Sequence, residues 1–396
     1  MKIEAIRVKE ITDSRGEPTI EVELKTSDGS FVAKIPSGKS RGANEVCVLS
    51  PAEASKKAGE IKKEIQDKDF ETIENLDRFL IDLDGTSNKK QFGGNLILGI
   101  SIAFSRALAA AAKKEPWQIL RQEFFKNVSD EPPVIFSNLI NGGAHAKNNL
   151  NFQEYLVLAR PINSVEETIS ELKDFYKNLG VALKKEYKLE NIPLGDEGGY
   201  APKFKSNLEP LLFLNKQIES AGLKNKFLLG IDAAASEFNK EGDYYFEEKK
   251  ISREELREVY IGYFAKLSAL YSIEDPFAEI DETGFKSLMK VMPEKLIIGD
   301  DLTTTNTEII ANCASNGLIN GVIIKPNQIG SLTETCAAIN MAHNRNLKCV
   351  VSHRSGETDD SFIIQIAKAA GVYGVKIGAP VSHRLPKFEE LIRLYV

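Results

Sequence analysis

Cysteine is scarce in this 396-residue chain: the four present, Cys47, Cys313, Cys336 and Cys349, form no C-x-x-C pair and are too few to build a disulfide scaffold. They read as reduced core thiols in a cytoplasmic protein. The amino terminus, MKIEAIRVKE, is charged throughout and lacks the apolar stretch and small-residue cleavage site of a signal peptide. Long hydrophobic runs are also missing. The longest, Leu96 to Ser105, is broken by Arg106 and leads to Lys113-Lys114, short of the ~18 uncharged residues of a membrane span. It reads as a buried helix. Nor is there an excess of positive charge: a net charge of -6 leaves no broad footprint for nucleic acid or an anionic membrane, so neither partner is expected. An anionic ligand would have to be held locally.

What is present is ordinary globular material, with 42% hydrophobic and 27% charged residues and no low-complexity tract. The length exceeds what a single core usually supports, so two domains are expected. Ile20, Val22 and Leu24, then Phe31, Ala33 and Ile35, alternate with polar residues around Asp28-Gly29, the pattern of an antiparallel hairpin. Ser50-Pro51-Ala52-Glu53 carries the signals of a helix start, and helical spacing continues over 71–83 and 95–114. Residues 1–129 therefore read as an α+β domain, a β-meander plus helices. The stiff stretch Asp130-Glu131-Pro132-Pro133 marks the boundary.

From residue 130 to 396 the grammar changes. Short apolar runs, each followed by a helical pattern, end in a charged or polar residue: Asp232, Glu274, Asp300, Lys325, His353 and Lys376. Continuous apolar strands alternating with helices imply a parallel sheet covered on both faces. The length fits a β/α barrel of the TIM type, which carries functional side chains at the ends of many strands. A polar, hairpin-like insertion is expected over 237–252.

Asp232, Glu274 and Asp300 would converge at the barrel mouth, and hard oxygen ligands without Cys favour Mg²⁺ over Zn²⁺. Any one of them alone would more ordinarily be a helix cap. Lys325, beside such a cation, is expected to have a lowered pKa suited to a general base; the plainer alternative is a lysine neutralising the acids. Spacing leaves Lys376 open as base or anion clamp. Gly195-Asp196-Glu197-Gly198-Gly199 sets a carboxylate in a glycine-rich loop after the strand-like NIPL. Gly38-Lys39-Ser40 resembles the end of a phosphate loop, but Ala33 stands where Walker A needs its first glycine, and no helix pattern follows to make a nucleophile elbow.

In order along the chain, DSRGEPT (13–19), PSGKSRG (36–42), LDGTSNK (83–89), NGGAHA (141–146), QEY (153–155), GDEGG (195–199), DAAASEF (232–238), SIEDPF (272–277), GDDLT (299–303), NQIG (327–330) and SHRSGET (352–358) resemble the motifs of the enolase family. The resemblance implies reversible dehydration of 2-phospho-D-glycerate to phosphoenolpyruvate and water, in glycolysis and gluconeogenesis. It implies that Asp232, Glu274 and Asp300 hold a first Mg²⁺, that Lys325 removes the carbon-bound proton and that Glu197 helps the hydroxyl leave. A second Mg²⁺ would arrive with substrate, held partly by Ser40. Arg354 and Ser355 would grip the phosphate, with His353 and Lys376 near the substrate carboxylate. His145 and Glu154, as catalytic residues, and Gln153 would line the site, and the chain would form a homodimer or a ring of dimers. The lid segment departs from the family pattern at Lys39, Arg41 and Asn44. Two other expectations compete: an acid-sugar dehydratase using Lys203-x-Lys205, and a non-catalytic barrel, against which the intact set of acids and lysines speaks.

Overall fold

The computed structural model describes residues 1–39 and 42–395. The chain opens with an antiparallel sheet, β1 (Ala5–Thr12), β2 (Pro18–Thr26) and β3 (Gly29–Ile35), in the order β1-β2-β3. Four helices follow: α1 (Pro51–Ile65), α2 (Ile73–Asp84), α3 (Gly94–Ala111) and α4 (Pro116–Phe124). The start expected at Ser50 is a full capping box, with the hydroxyl accepting from the Glu53 amide and the Glu53 carboxylate accepting from the Ser50 amide. Helix α3 is long and apolar enough to cross a bilayer by composition, yet 78% of it is buried in the protein, against β2 and β3. Gly99 permits that approach, since a Cβ there would lie 2.4 Å from Val22 Cγ2.

The remaining elements are β4 (Val134–Asn141), β5 (Glu154–Ala159), α5 (Val165–Tyr187), α6 (Glu209–Ser220) and β6 (Phe227–Asp232), then a ribbon of β7 (Asn239–Lys240), β8 (Asp243–Phe246) and β9 (Lys249–Ile251). After α7 (Arg253–Lys266) strand and helix alternate: β10 (Leu270–Glu274), α8 (Glu282–Val291), β11 (Leu296–Gly299), α9 (Thr307–Ser315), β12 (Gly321–Ile324), α10 (Pro326–Ile329), α11 (Leu332–Asn344), β13 (Lys348–Ser352), α12 (Phe362–Ala370), β14 (Gly374–Ile377) and α13 (Leu385–Leu394). Among the described residues, eight strands close into a barrel in the order β10-β11-β12-β13-β14-β4-β5-β6. The hairpin-like insertion is the three-stranded ribbon β7–β9.

An all-parallel barrel, expected from the apolar runs, is corrected at one strand. β5 runs antiparallel to both β4 and β6. Its amino end, Glu154, pairs with Asp232 and so lies at the mouth to which the other strands point their carboxyl ends. The reversal also places the α5–α6 connection at that mouth. The GDEGG segment sits in this connection and does not follow a strand; NIPL contributes a single bridge, Leu194 to Tyr200.

Phe136, Leu156, Leu158, Leu296, Ile298, Ile323 and Val350 fill the lower barrel as one apolar cluster. Below them Lys348 Nζ stands over the rings of Tyr271 and Tyr373, 5.0 and 4.4 Å from their centroids. The upper barrel is charged.

Candidate active site

Apolar strands fix the backbone, and the first residues freed from the ladder project into the mouth. Asp232 and Glu274 close β6 and β10 and are register partners; Asp300 and Lys325 follow β11 and β12 directly; His353 follows β13 and Lys376 lies in β14. Ten of the residues expected from sequence line one cleft of about 290 Å³: His145, Gln153, Glu154, Glu197, Asp232, Lys325, His353, Arg354, Ser355 and Lys376. Glu274 and Asp300 stand behind its wall, bonded to lysines that line it. Ser40 lies outside the described residues. Lys203 and Lys205 are exposed in the α5–α6 connection, as a solvated loop would have them.

Lys376 Nζ lies 3.0 Å from Glu154, 3.1 Å from Asp232 and 2.8 Å from Glu274. Burial opposes its charge, but the surrounding carboxylates, Asp232 foremost, outweigh that and raise its pKa well above the ordinary lysine value. Glu274 and Glu154 are held well above the carboxylate range, first by burial and then by neighbouring acids, Asp232 for Glu274 and Glu197 for Glu154. Lys325 pairs with Asp300. Burial acts to lower the Lys325 pKa, but the Asp300 carboxylate paired with it overcomes this and raises the value. Asp300 is lowered in turn, Lys325 outweighing its burial.

The donor set suits a hard cation. Glu154, Glu197, Asp232, Glu274 and Asp300 bring five buried carboxylates to one mouth, against Lys325 and Lys376. Arg354 is itself engaged by Glu45 at 3.1 Å and by Asn327 at 2.8 Å. Within each of two groups, His145–Glu154–Glu197 and Asp275–Asp300–Asp301, the ligand atoms lie within 4.8 Å of one another, close enough to share an ion. Carboxylate oxygens without sulfur favour divalent cations of the hard class.

On the opposite wall, Glu197 accepts from Asn138 Nδ2 at 2.9 Å and faces His353 Nε2 at 3.4 Å. Arg384 Nε donates to His353 Nδ1 at 3.3 Å, which makes Nδ1 the acceptor and leaves the proton on Nε2, toward Glu197. Burial pushes Glu197 up, yet His353 and His145 more than reverse this, and its pKa falls well below the carboxylate range. Both histidines are lowered by burial. From behind, Tyr176 Oη donates to Gly198 O at 2.6 Å, and Tyr176 stacks on Tyr200 with centroids 4.6 Å apart.

Sequence reasoning missed Asn138, Arg384 and Tyr176, and gave no role to Asp275 and Gln328 inside motifs it quoted. Asp275 accepts the amides of Asp300 and Asp301, and Gln328 donates to Asp300 at 3.2 Å. Asp275 has φ 40°, a left-handed conformation that costs energy outside glycine; Ala234 at 43° and Thr304 at 45° share it just beyond β6 and β11. The signal for Asn138 was available: Ser137 and Asn138 are polar residues in the middle of a strand whose other residues before Asn141 are apolar.

Comparison with known proteins agrees along the whole chain. Residues 3–120 match the family model "Enolase, N-terminal domain", and residues 131–395 match "Enolase, C-terminal TIM barrel domain". The chain is 40% identical over 409 residues to proteins named Enolase from Ehrlichia ruminantium strains Gardel and Welgevonden, covering 99% of this chain and 96% of theirs. By fold, motif order and these matches, the chain belongs to the enolase family.

Proposed function

We propose that the protein interconverts 2-phospho-D-glycerate and phosphoenolpyruvate, with Lys325 as the base at the substrate carbon and Glu197 assisting departure of the hydroxyl. Family membership makes it a carbon–oxygen lyase, a phosphopyruvate hydratase. The observation that carries the assignment of roles is that Lys325 and Glu197 face one cleft from separate strands: Lys325 follows β12, and Glu197 is held on β4 by Asn138, three strands round a ring of eight. A substrate carbon and its departing oxygen fit between the base and the Glu197 carboxylate, which, with its pKa lowered, must take up a proton before it can give one to the leaving hydroxyl.

Arg354 and Ser355 line the same cleft, where a guanidinium fork suits a phosphate. His353 and Lys376 serve the substrate carboxylate, Gln153 lines the site, and His145 and Glu154 complete the leaving side. Proton removal beside a carboxylate concentrates two negative charges on one group. Asp232, Glu274 and Asp300 would hold Mg²⁺, and a second Mg²⁺ accompanying substrate, with Ser40 among its ligands, would supply the positive charge that stabilises this enolate. Lys325 accepts a proton only when neutral, which requires Asp300 to be engaged elsewhere. The same reading carries a homo-oligomer in the cytoplasm and a domain division at residues 129 and 130.

Formation of phosphoenolpyruvate is followed by ultraviolet absorbance, with and without Mg²⁺. Lys325→Ala should lose about 10²–10⁴-fold in kcat, the usual contribution of a general base. Undiminished turnover in that variant would remove Lys325 from the mechanism. Turnover of unphosphorylated acids in place of 2-phospho-D-glycerate would replace the substrate assignment.

A further inference from the structure

Lys39 makes contacts that the proposed chemistry does not use. Its Nζ lies 2.9 Å from Asp196 Oδ2 and donates to the carbonyl of Ala144 at 2.7 Å. Its backbone amide donates to Ser355 Oγ at 3.1 Å. Two residues earlier, Ser37 and Gly356 exchange backbone bonds of 2.8 and 3.0 Å. One residue of the amino-terminal sheet's exit segment thus touches three loops of the barrel mouth: the one carrying His145, the one carrying Glu197 and the one carrying Ser355. At the mouth itself those loops also meet through Asp196 N to His145 O at 3.0 Å and through Arg384, which donates to the carbonyls of Asp196 and Ser355.

We propose that Lys39 is a positioning residue that clamps the leaving-group wall to the phosphate-binding wall across the mouth, and that it neutralises Asp196 where a multiply charged anion must enter. This rests on the function proposed above. The lysine side chain is 47% exposed and Asp196 26%, so the pair is partly screened and weakened by salt. Its effect belongs in substrate binding more than in the chemical step. Neither residue touches the reacting atoms.

Turnover of 2-phospho-D-glycerate by the full-length, Mg²⁺-supplemented protein tests this with Lys39→Ala, Asp196→Asn, the double variant and Lys39→Arg. Each single variant should raise KM about two- to fivefold with kcat nearly unchanged, the range of a partly exposed ion pair. The double variant should be no worse than either single one. Lys39→Arg should recover most of the loss, and the difference between wild type and Lys39→Ala should shrink at high salt. Additive effects overturn the clamp. So does a lower KM in Asp196→Asn alongside a higher one in Lys39→Ala, which would make Lys39 a free charge at the mouth. Hydrogen exchange supplies a readout independent of turnover: amides over 142–147 and 195–198 should exchange faster in Lys39→Ala. Unchanged exchange overturns the clamp even where wild type is inactive on 2-phospho-D-glycerate, an outcome that by itself rejects only the functional assignment.

Discussion

Lys376 is 2% exposed and bonded to three carboxylates, so truncating it strands buried charge. Lys376→Met should cost about 3–5 kcal/mol in urea unfolding without divalent ions, the penalty for removing one partner of a buried ionic cluster. Mg²⁺ should recover part of that loss, since a cation can replace the missing charge. A deficit that does not change with Mg²⁺ would separate these acids from the cation site. Such residues were legible in the sequence because ionisable groups end several successive apolar runs, more than the helix cap that any one of them alone would suggest. Arg384 was not, and Asn138 was legible as a polar residue inside β4 but not as the partner of Glu197. Each acts on a partner 59 or 31 positions away, and no local pattern encodes a distant pairing.

Helix α2 caps its neighbour α11 from the side: Asp77 accepts the amide of Thr333 at 2.8 Å and its hydroxyl at 2.7 Å. Complete burial raises the Asp77 pKa from 3.8 to about 6. A raised carboxylate stabilises the fold below its unfolded value and loses that contribution as pH rises through the folded one. Asp77→Asn, which has no charge to bury, should therefore gain on wild type as pH climbs through about 6, by on the order of 3 kcal/mol in the plateau above it. Melting curves at acid and mildly alkaline pH measure the difference; a gap independent of pH rejects the buried-charge account. In α5, a Cβ on Gly180 would meet Tyr200 Oη at 2.3 Å. Gly180→Ala should displace Tyr200 from its stack on Tyr176, loosen the Gly198 carbonyl and cost about 1–3 kcal/mol by overpacking. Activity should fall further than this loss of stability explains. At this scale the hairpin, the capping box and the alternation of strands and helices from β10 onward were visible in advance. The reversal of β5 was not, because an apolar run reads the same in either direction.

The two halves of the molecule are joined by a half-buried bidentate pair, Arg106 of α3 with Asp360 ahead of α12, at 2.7 and 2.9 Å. Asp360 also accepts the amides of Lys34 and Phe362. Arg106→Met should destabilise by about 3 kcal/mol, toward the low end for a broken buried pair because the arginine keeps some exposure. Calorimetry should show a single transition giving way to two if this pair couples the halves. A melting profile unchanged in both position and shape would rule out that role. The reversed strand, finally, bears on how the barrel assembles. β4 and β5 pair as antiparallel neighbours across residues 142–153, whereas β5 meets β6 only after the whole α5–α6 excursion, so the first of these pairings closes at smaller entropic cost than the second. The seam between β14 and β4, where Gly374 meets Val134, joins strands from opposite ends of the barrel sequence. Contact order therefore favours the β4–β5 pair and the closely spaced β10–β13 units as early contacts and makes the β14–β4 seam the last joint to form, which slows folding most at the strand that carries Lys376.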